Sequence, residues 1–135
     1  MRSGKAGREG VTMTSPEQLP GKAREIRVSN VQFLYEQDGP PERVLKNQLA
    51  ESFKRNLNVK RAYLARISSG DQSSVALCVR MKEAPDQDLV REVAVVFASI
   101  FPRQEYLDIL FLSESQESAL RRVCGAFFVA PMRIN

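Results

Sequence analysis

Residues 58–82 read NVKRAYLARISSGDQSSVALCVRMK. Two runs of strand-forming residues flank the polar turn Ser68-Ser69-Gly70-Asp71-Gln72, a pattern that predicts a β-hairpin. In the second run Val75, Leu77, Val79 and Met81 share one face. Ala76, Cys78, Arg80 and Lys82 occupy the other, because strand side chains alternate. The first run, Val59–Ile67, is apolar on both faces, with Tyr63, Ala65 and Ile67 set against Ala62 and Leu64.

Working outward, the residues before the hairpin change period. Leu45, Leu49, Phe53 and Leu57 recur every four residues, with Val44 widening the stripe. This spacing predicts an amphipathic helix over about 41–56, with Pro41 at its first position, where the missing N–H costs nothing. A turn cluster, Glu36 to Pro40, separates it from a predicted strand centred on Val31–Tyr35. After the hairpin, Asp86 is placed to cap a second helix whose buried stripe is Leu89, Val93, Phe97, Ile100 and Phe101. Pro102 ends it. The run Tyr106–Leu112 predicts a strand covered on both faces, central in the sheet. Ser113 with Gln116 three residues on makes a capping-box start for a third helix carrying Ala119, Leu120, Val123 and Cys124, closed by Gly125. Phe127 and Phe128 are expected to pack back on the body.

The order is β-α-β-β-α-β plus a C-terminal helix. The fold class is therefore α+β, in a ferredoxin-like arrangement: an antiparallel sheet with its helices on one face and the other face open. Such a fold hosts many functions and carries little functional information. Residues 1–25 are punctuated by Gly, Pro and charge and are expected to form a disordered leader. Residues 26–128 form the domain, and 129–135 a short, frayed tail.

Composition bounds the chemistry. The 135 residues suffice for one domain with a core of its own. The net charge is +4. Residues 1–27 contribute six of the 20 basic and three of the 16 acidic residues, so 28–135 carry a net of only +1. That balance argues against nucleic acid as a partner. The chain has no histidine, which removes Ser-His-Asp and Cys-His catalysis and any His-containing zinc site. Cys78 and Cys124 are expected to be buried free thiols. No apolar run is long enough to span a bilayer, and no signal peptide is recognisable, so a cytoplasmic location is expected. Phosphate-loop and metal-ligand motifs do not occur in the sequence, and no cofactor is expected.

Two constellations remain. Asp108 interrupts an apolar strand and is the candidate buried polar residue. Left unpaired it would cost several kcal/mol, so it is expected to anchor a ligand or act as a general acid, to lie on the open face, or to pair with a base such as Arg61 or Arg80. Lys60, Arg61, Tyr63, Arg66, Arg80 and Lys82 form the candidate interaction surface, read as the open sheet face and hairpin edge.

Residues 40–67, PPERVLKNQLAESFKRNLNVKRAYLARI, resemble the C-terminal domain of the SseB (enhanced serine sensitivity) family. The resemblance rests on the Pro-Pro entry, the amphipathic helix and Val59-Lys60-Arg61-Ala62-Tyr63 opening the next strand. It continues through the VALCV strand, a helix, Leu107-Asp108-Ile109 and a last helix near an aromatic pair, covering about residues 31–128. It implies a bacterial cytoplasmic protein and transfers no catalytic residue. The expected function is a non-enzymatic binding or regulatory module acting through a protein partner or self-association. The alternatives are a nucleic-acid or anionic-ligand binder using Lys60, Arg61, Arg66 and Arg80, and an enzyme or accessory in amino-acid metabolism that uses Asp108.

Overall fold

The computed structural model describes residues 23–102 and 106–132. The elements are β1 (Ala23–Ile26), β2 (Gln32–Glu36), α1 (Pro40–Phe53), β3 (Val59–Ser69), β4 (Gln72–Met81), α2 (Gln87–Ile100), β5 (Leu107–Phe111), α3 (Glu114–Leu120) and β6 (Phe128–Val129). The hairpin reading of 58–82 holds. Ser69 pairs with Gln72, leaving Gly70 and Asp71 as a two-residue turn. Gly70 takes φ +62° there, the left-handed conformation that tight hairpin turns require. Asp86 caps α2 by accepting from the Asp88 N–H at 2.8 Å. Ser113 and Gln116 form a reciprocal capping box at α3.

The sheet order is β1-β5-β4-β3-β2, with β6 also paired to β3. Neighbours β2/β3, β3/β4 and β3/β6 are antiparallel; β4/β5 and β1/β5 are parallel. The fold class is α+β as expected, but the sheet is mixed, which corrects the antiparallel, ferredoxin-like order. A helical crossover can bring a strand back parallel to its predecessor. Here α2 returns β5 directly beside β4. Strand β5 lies inside the sheet, between β1 and β4, which accounts for its apolar character on both sides of Asp108.

Both faces are covered. On one, Leu45, Leu49 and Phe53 of α1 and Leu89, Val93 and Phe97 of α2 pack on Ala62, Leu64, Leu77, Val79 and Ile109. Each large side chain so buried contributes about 1.5–3 kcal/mol. Phe53 lies edge-on to Phe128, centroids 5.7 Å apart, so the aromatic pair does fold back. On the other face Leu120 and Cys124 pack with Tyr63, Ala65, Cys78 and Leu110, joined by Ile26, Val28 and Phe33. The expected open face therefore does not exist. Helix α3, Cys124 just beyond it, and Val28 and Val31 of the segment between β1 and β2 close it.

Four smaller expectations also change. The leader of 1–25 overlaps β1, where Ala23, Arg24 and Glu25 pair with β5; residues 1–22 lie outside the described residues. The tail of 129–135 contributes Val129 to β6. Helix α1 ends at Phe53, leaving Leu57 62 % exposed instead of on the stripe. Helix α3 ends at Leu120, and Gly125 has no positive φ, so it is not the left-handed cap expected.

Candidate functional site

Alternation along β3 sends its basic residues to opposite faces. Arg61 and Tyr63 point towards α3, and Arg66 towards α1 and α2. The α3 side is a closed polar knot. Glu117 is buried. It accepts from Arg61 Nη2 at 2.9 Å, from Arg61 Nε, and from the Tyr63 hydroxyl at 2.5 Å. Arg80 Nε stands 3.7 Å from the same carboxylate, an ion pair too long to be a hydrogen bond, while its Nη1 donates to the Leu112 carbonyl at 3.1 Å. The Arg61 hydrogen bonds are the main cause holding the Glu117 carboxyl down at about 2, against the opposing effect of burial. Burial, with the Glu117 bond, pushes the Tyr63 hydroxyl up to about 12. Both groups are locked in one protonation state, which suits a structural clasp and not acid–base chemistry.

Asp108 is similarly engaged. It sits in β5 beside Arg24 of β1 and accepts from Arg24 Nε at 2.8 Å and from the Ser74 hydroxyl at 2.8 Å. Its partner is Arg24, not Arg61 or Arg80. Cys78 and Cys124 are free and buried. Burial raises the Cys78 thiol far above its usual range and the Cys124 thiol to about 11. Among the described residues no cluster of His, Cys, Asp or Glu could hold a metal ion, and no helix is long and apolar enough to cross a membrane.

The other face of β3 is different. Between the first turn of α1, the end of α2 and the sheet lies a cavity of about 540 Å³. Leu64, Val75 and Leu107 come from the strands, and Phe97 and Phe101 from the end of α2. The two phenylalanines stack with centroids 4.9 Å apart. Arg66 lines this cavity, and its Nε is buried with no hydrogen-bond partner among the described residues. Glu42 and Gln37 stand at the rim, joined by a 3.1 Å bond from Gln37 Nε2.

The six residues expected to share one surface are thus dispersed. Tyr63 is 1 % exposed. Arg61 and Arg80 are held by Glu117, and Arg66 faces the cavity. Lys60 and Lys82 are exposed. Sequence reasoning missed Glu117, Arg24, Gln37 and Glu42. A signal for Glu117 existed: it shares the α3 face of Leu120 and Cys124, three and seven residues on.

The family model described as the SseB protein C-terminal domain matches residues 31–128. The chain belongs to this family. Neither a search among curated proteins nor one among solved structures gave a match. The SseB C-terminal segment runs from just before β2 to Phe128. It contains the cavity, from Gln37 to Leu107, and the whole Glu117 clasp. Strand β1, with the Arg24 that answers Asp108, lies outside the matched segment.

Proposed function

We propose that this SseB C-terminal domain is a non-catalytic binding module whose recognition element is Arg66 in the cavity between α1, α2 and the sheet. The observation that carries this reading is Arg66, whose Nε has no hydrogen-bond partner among the described residues, in the lining of a cavity of about 540 Å³. The guanidinium charge attracts an anion into the cavity, and does so more strongly there than in bulk water because the walls are partly desolvated. Cavities of this size are typical of small-molecule sites. The reading narrows the anionic-ligand alternative to one of its four basic residues. The non-catalytic part is supported by the engagement of Asp108 and Glu117 in ion pairs. A cytoplasmic setting accords with two buried free thiols. Calorimetric titration with acetate, benzoate and inorganic phosphate tests the reading. Saturable binding of at least one, lost in Arg66→Gln and kept in Lys60→Gln, is expected; no Arg66-dependent binding of any of them overturns it.

Protein contact is the second reading, favoured by one corner of the molecule. There Leu57 is exposed beside Ala130 and Pro131, with Lys54 and Lys82 alongside. Self-association through this corner predicts a dimer in sedimentation equilibrium that Leu57→Asp dissociates. A monomer at high concentration removes it.

A further inference from the structure

We infer that the ligand class of the Arg66 cavity is a small zwitterion, a molecule carrying one carboxylate and one ammonium group. This rests on the anion-site reading above and specifies which anion: one that brings its own cation. The cavity holds two opposite protein charges that do not answer each other.

Arg66 and Glu42 both line the cavity, and both are half-buried. Neither belongs to an ion pair among the described residues. Nearby charges are engaged elsewhere. Arg43 pairs with Asp38, and Lys46 with Glu36 and Asp38, so these two cations of α1 leave Glu42 alone. Asp108 accepts from the hydroxyl of Ser74, a residue of the cavity lining, and is answered by Arg24.

The two charges come from different elements. Arg66 belongs to β3, and Glu42 to the first turn of α1, where the helix dipole favours an anionic side chain. Gln37 Nε2 donates to Glu42 Oε2 at 3.1 Å. That bond steadies the carboxylate but brings no charge to match it. A ligand with only a negative charge meets Glu42 as a like charge, and one with only a positive charge meets Arg66 in the same way. A zwitterion answers both, its carboxylate towards the guanidinium and its ammonium towards Glu42.

The rest of the lining suits a compact polar molecule. Leu64, Phe97 and Leu107 are almost fully buried, so a hydrocarbon body finds little apolar surface to cover. Gln37, Glu42, Arg66 and Ser74 make the lining more polar than apolar.

Calorimetry and ligand-detected NMR on the full chain provide the test. The probes are glycine, 4-aminobutanoate and 6-aminohexanoate, set against acetate, butanoate and hexanoate, which keep the length and lack the amine. Butylammonium supplies the cation alone. The three lengths vary the charge separation. The best zwitterion is expected to bind about tenfold or more tightly than its amine-free counterpart. Arg66→Gln is expected to weaken both by about tenfold. Glu42→Gln is expected to separate them: the zwitterion loses its advantage, while the amine-free carboxylate binds as well or better, because a like charge has gone. A poorly folded variant weakens both alike, and the probe comparison on the unmodified chain stands without any variant. Amine-free carboxylates that bind through Arg66 as tightly as every zwitterion overturn the inferred class and leave the anion site standing. Butylammonium binding as tightly as the best zwitterion also overturns the class. Failure of all the probes removes both.

Discussion

Tyr63 donates its phenolic hydrogen to Glu117 across 2.5 Å, and this bond fastens the middle of β3 to helix α3. It explains how a seven-residue helix, too short to be stable alone, can cover a sheet face. Two apolar side chains, Leu120 and Cys124, and one buried carboxylate do the docking.

Removing either partner is expected to have unequal effects. Tyr63→Phe deletes one of several bonds to Glu117 and should cost about 1–3 kcal/mol. Glu117→Gln strips the counter-charge from Arg61 and should cost more, about 3–5 kcal/mol, since a partly buried guanidinium is left uncompensated. Urea denaturation of both variants, read as midpoint shifts at constant m value, checks the order.

The same clasp sets an acid limit. The Glu117 carboxyl titrates near 2 in the folded chain against an ordinary value of 4.5. A depressed carboxyl stabilises the fold above its unfolded value, and that contribution is lost as pH falls from about 4.5 to about 2. Its size is roughly 2–4 kcal/mol. At the alkaline end Tyr63 is raised from 10.0 to about 12. Its contribution is full below 10 and disappears as pH rises through 12. Melting temperatures followed from pH 6 downwards should drop steeply for the parent chain, while Glu117→Gln, already less stable, should show a shallower acid slope.

Asp108 and Arg24 share one bond but not one environment. The Asp108 side chain is 9 % exposed and that of Arg24 59 %. Asp108→Ala leaves the Ser74 hydroxyl without its acceptor and should cost about 1–3 kcal/mol. Arg24→Gln removes a largely solvated partner and should cost less than about 1 kcal/mol. Equal losses in thermal denaturation would contradict this asymmetry.

Cys78 and Cys124 are free, buried and raised in pKa. Thiolates are the reactive form, so a thiol reagent at pH 8 is expected to modify neither cysteine in the folded chain at an appreciable rate. Both should react at once in denaturant. Rapid native labelling of Cys124 would show that α3 opens readily.

Much of the fold was legible because its signals are local. The hairpin announced itself through the alternation of Val75, Leu77, Val79 and Met81 around a polar turn. The caps Asp86 and Ser113 act within three residues of themselves. Strand β1 was not legible: Ala23-Arg24-Glu25-Ile26 has little apolar character, and it is held by backbone pairing to β5 and by the Arg24–Asp108 bond, 84 positions apart. The candidate site was half legible. Arg66 was singled out, but as one member of a surface, and nothing local separates it from Arg61. Five positions along a strand reverse the face, and the partners on each face come from distant elements.

What the sequence determined by itself is the set of elements, their caps, the α+β class and the family, because periodicity, turn chemistry and motif spacing are properties of neighbouring residues. What only the tertiary structure decided is which strands adjoin, that the sheet is mixed, that α3 closes the second face, and that Arg66 faces a cavity while Arg61 is tied to Glu117. Those outcomes depend on contacts between residues tens of positions apart. They are settled by which arrangement buries the most apolar surface while leaving the fewest charges alone.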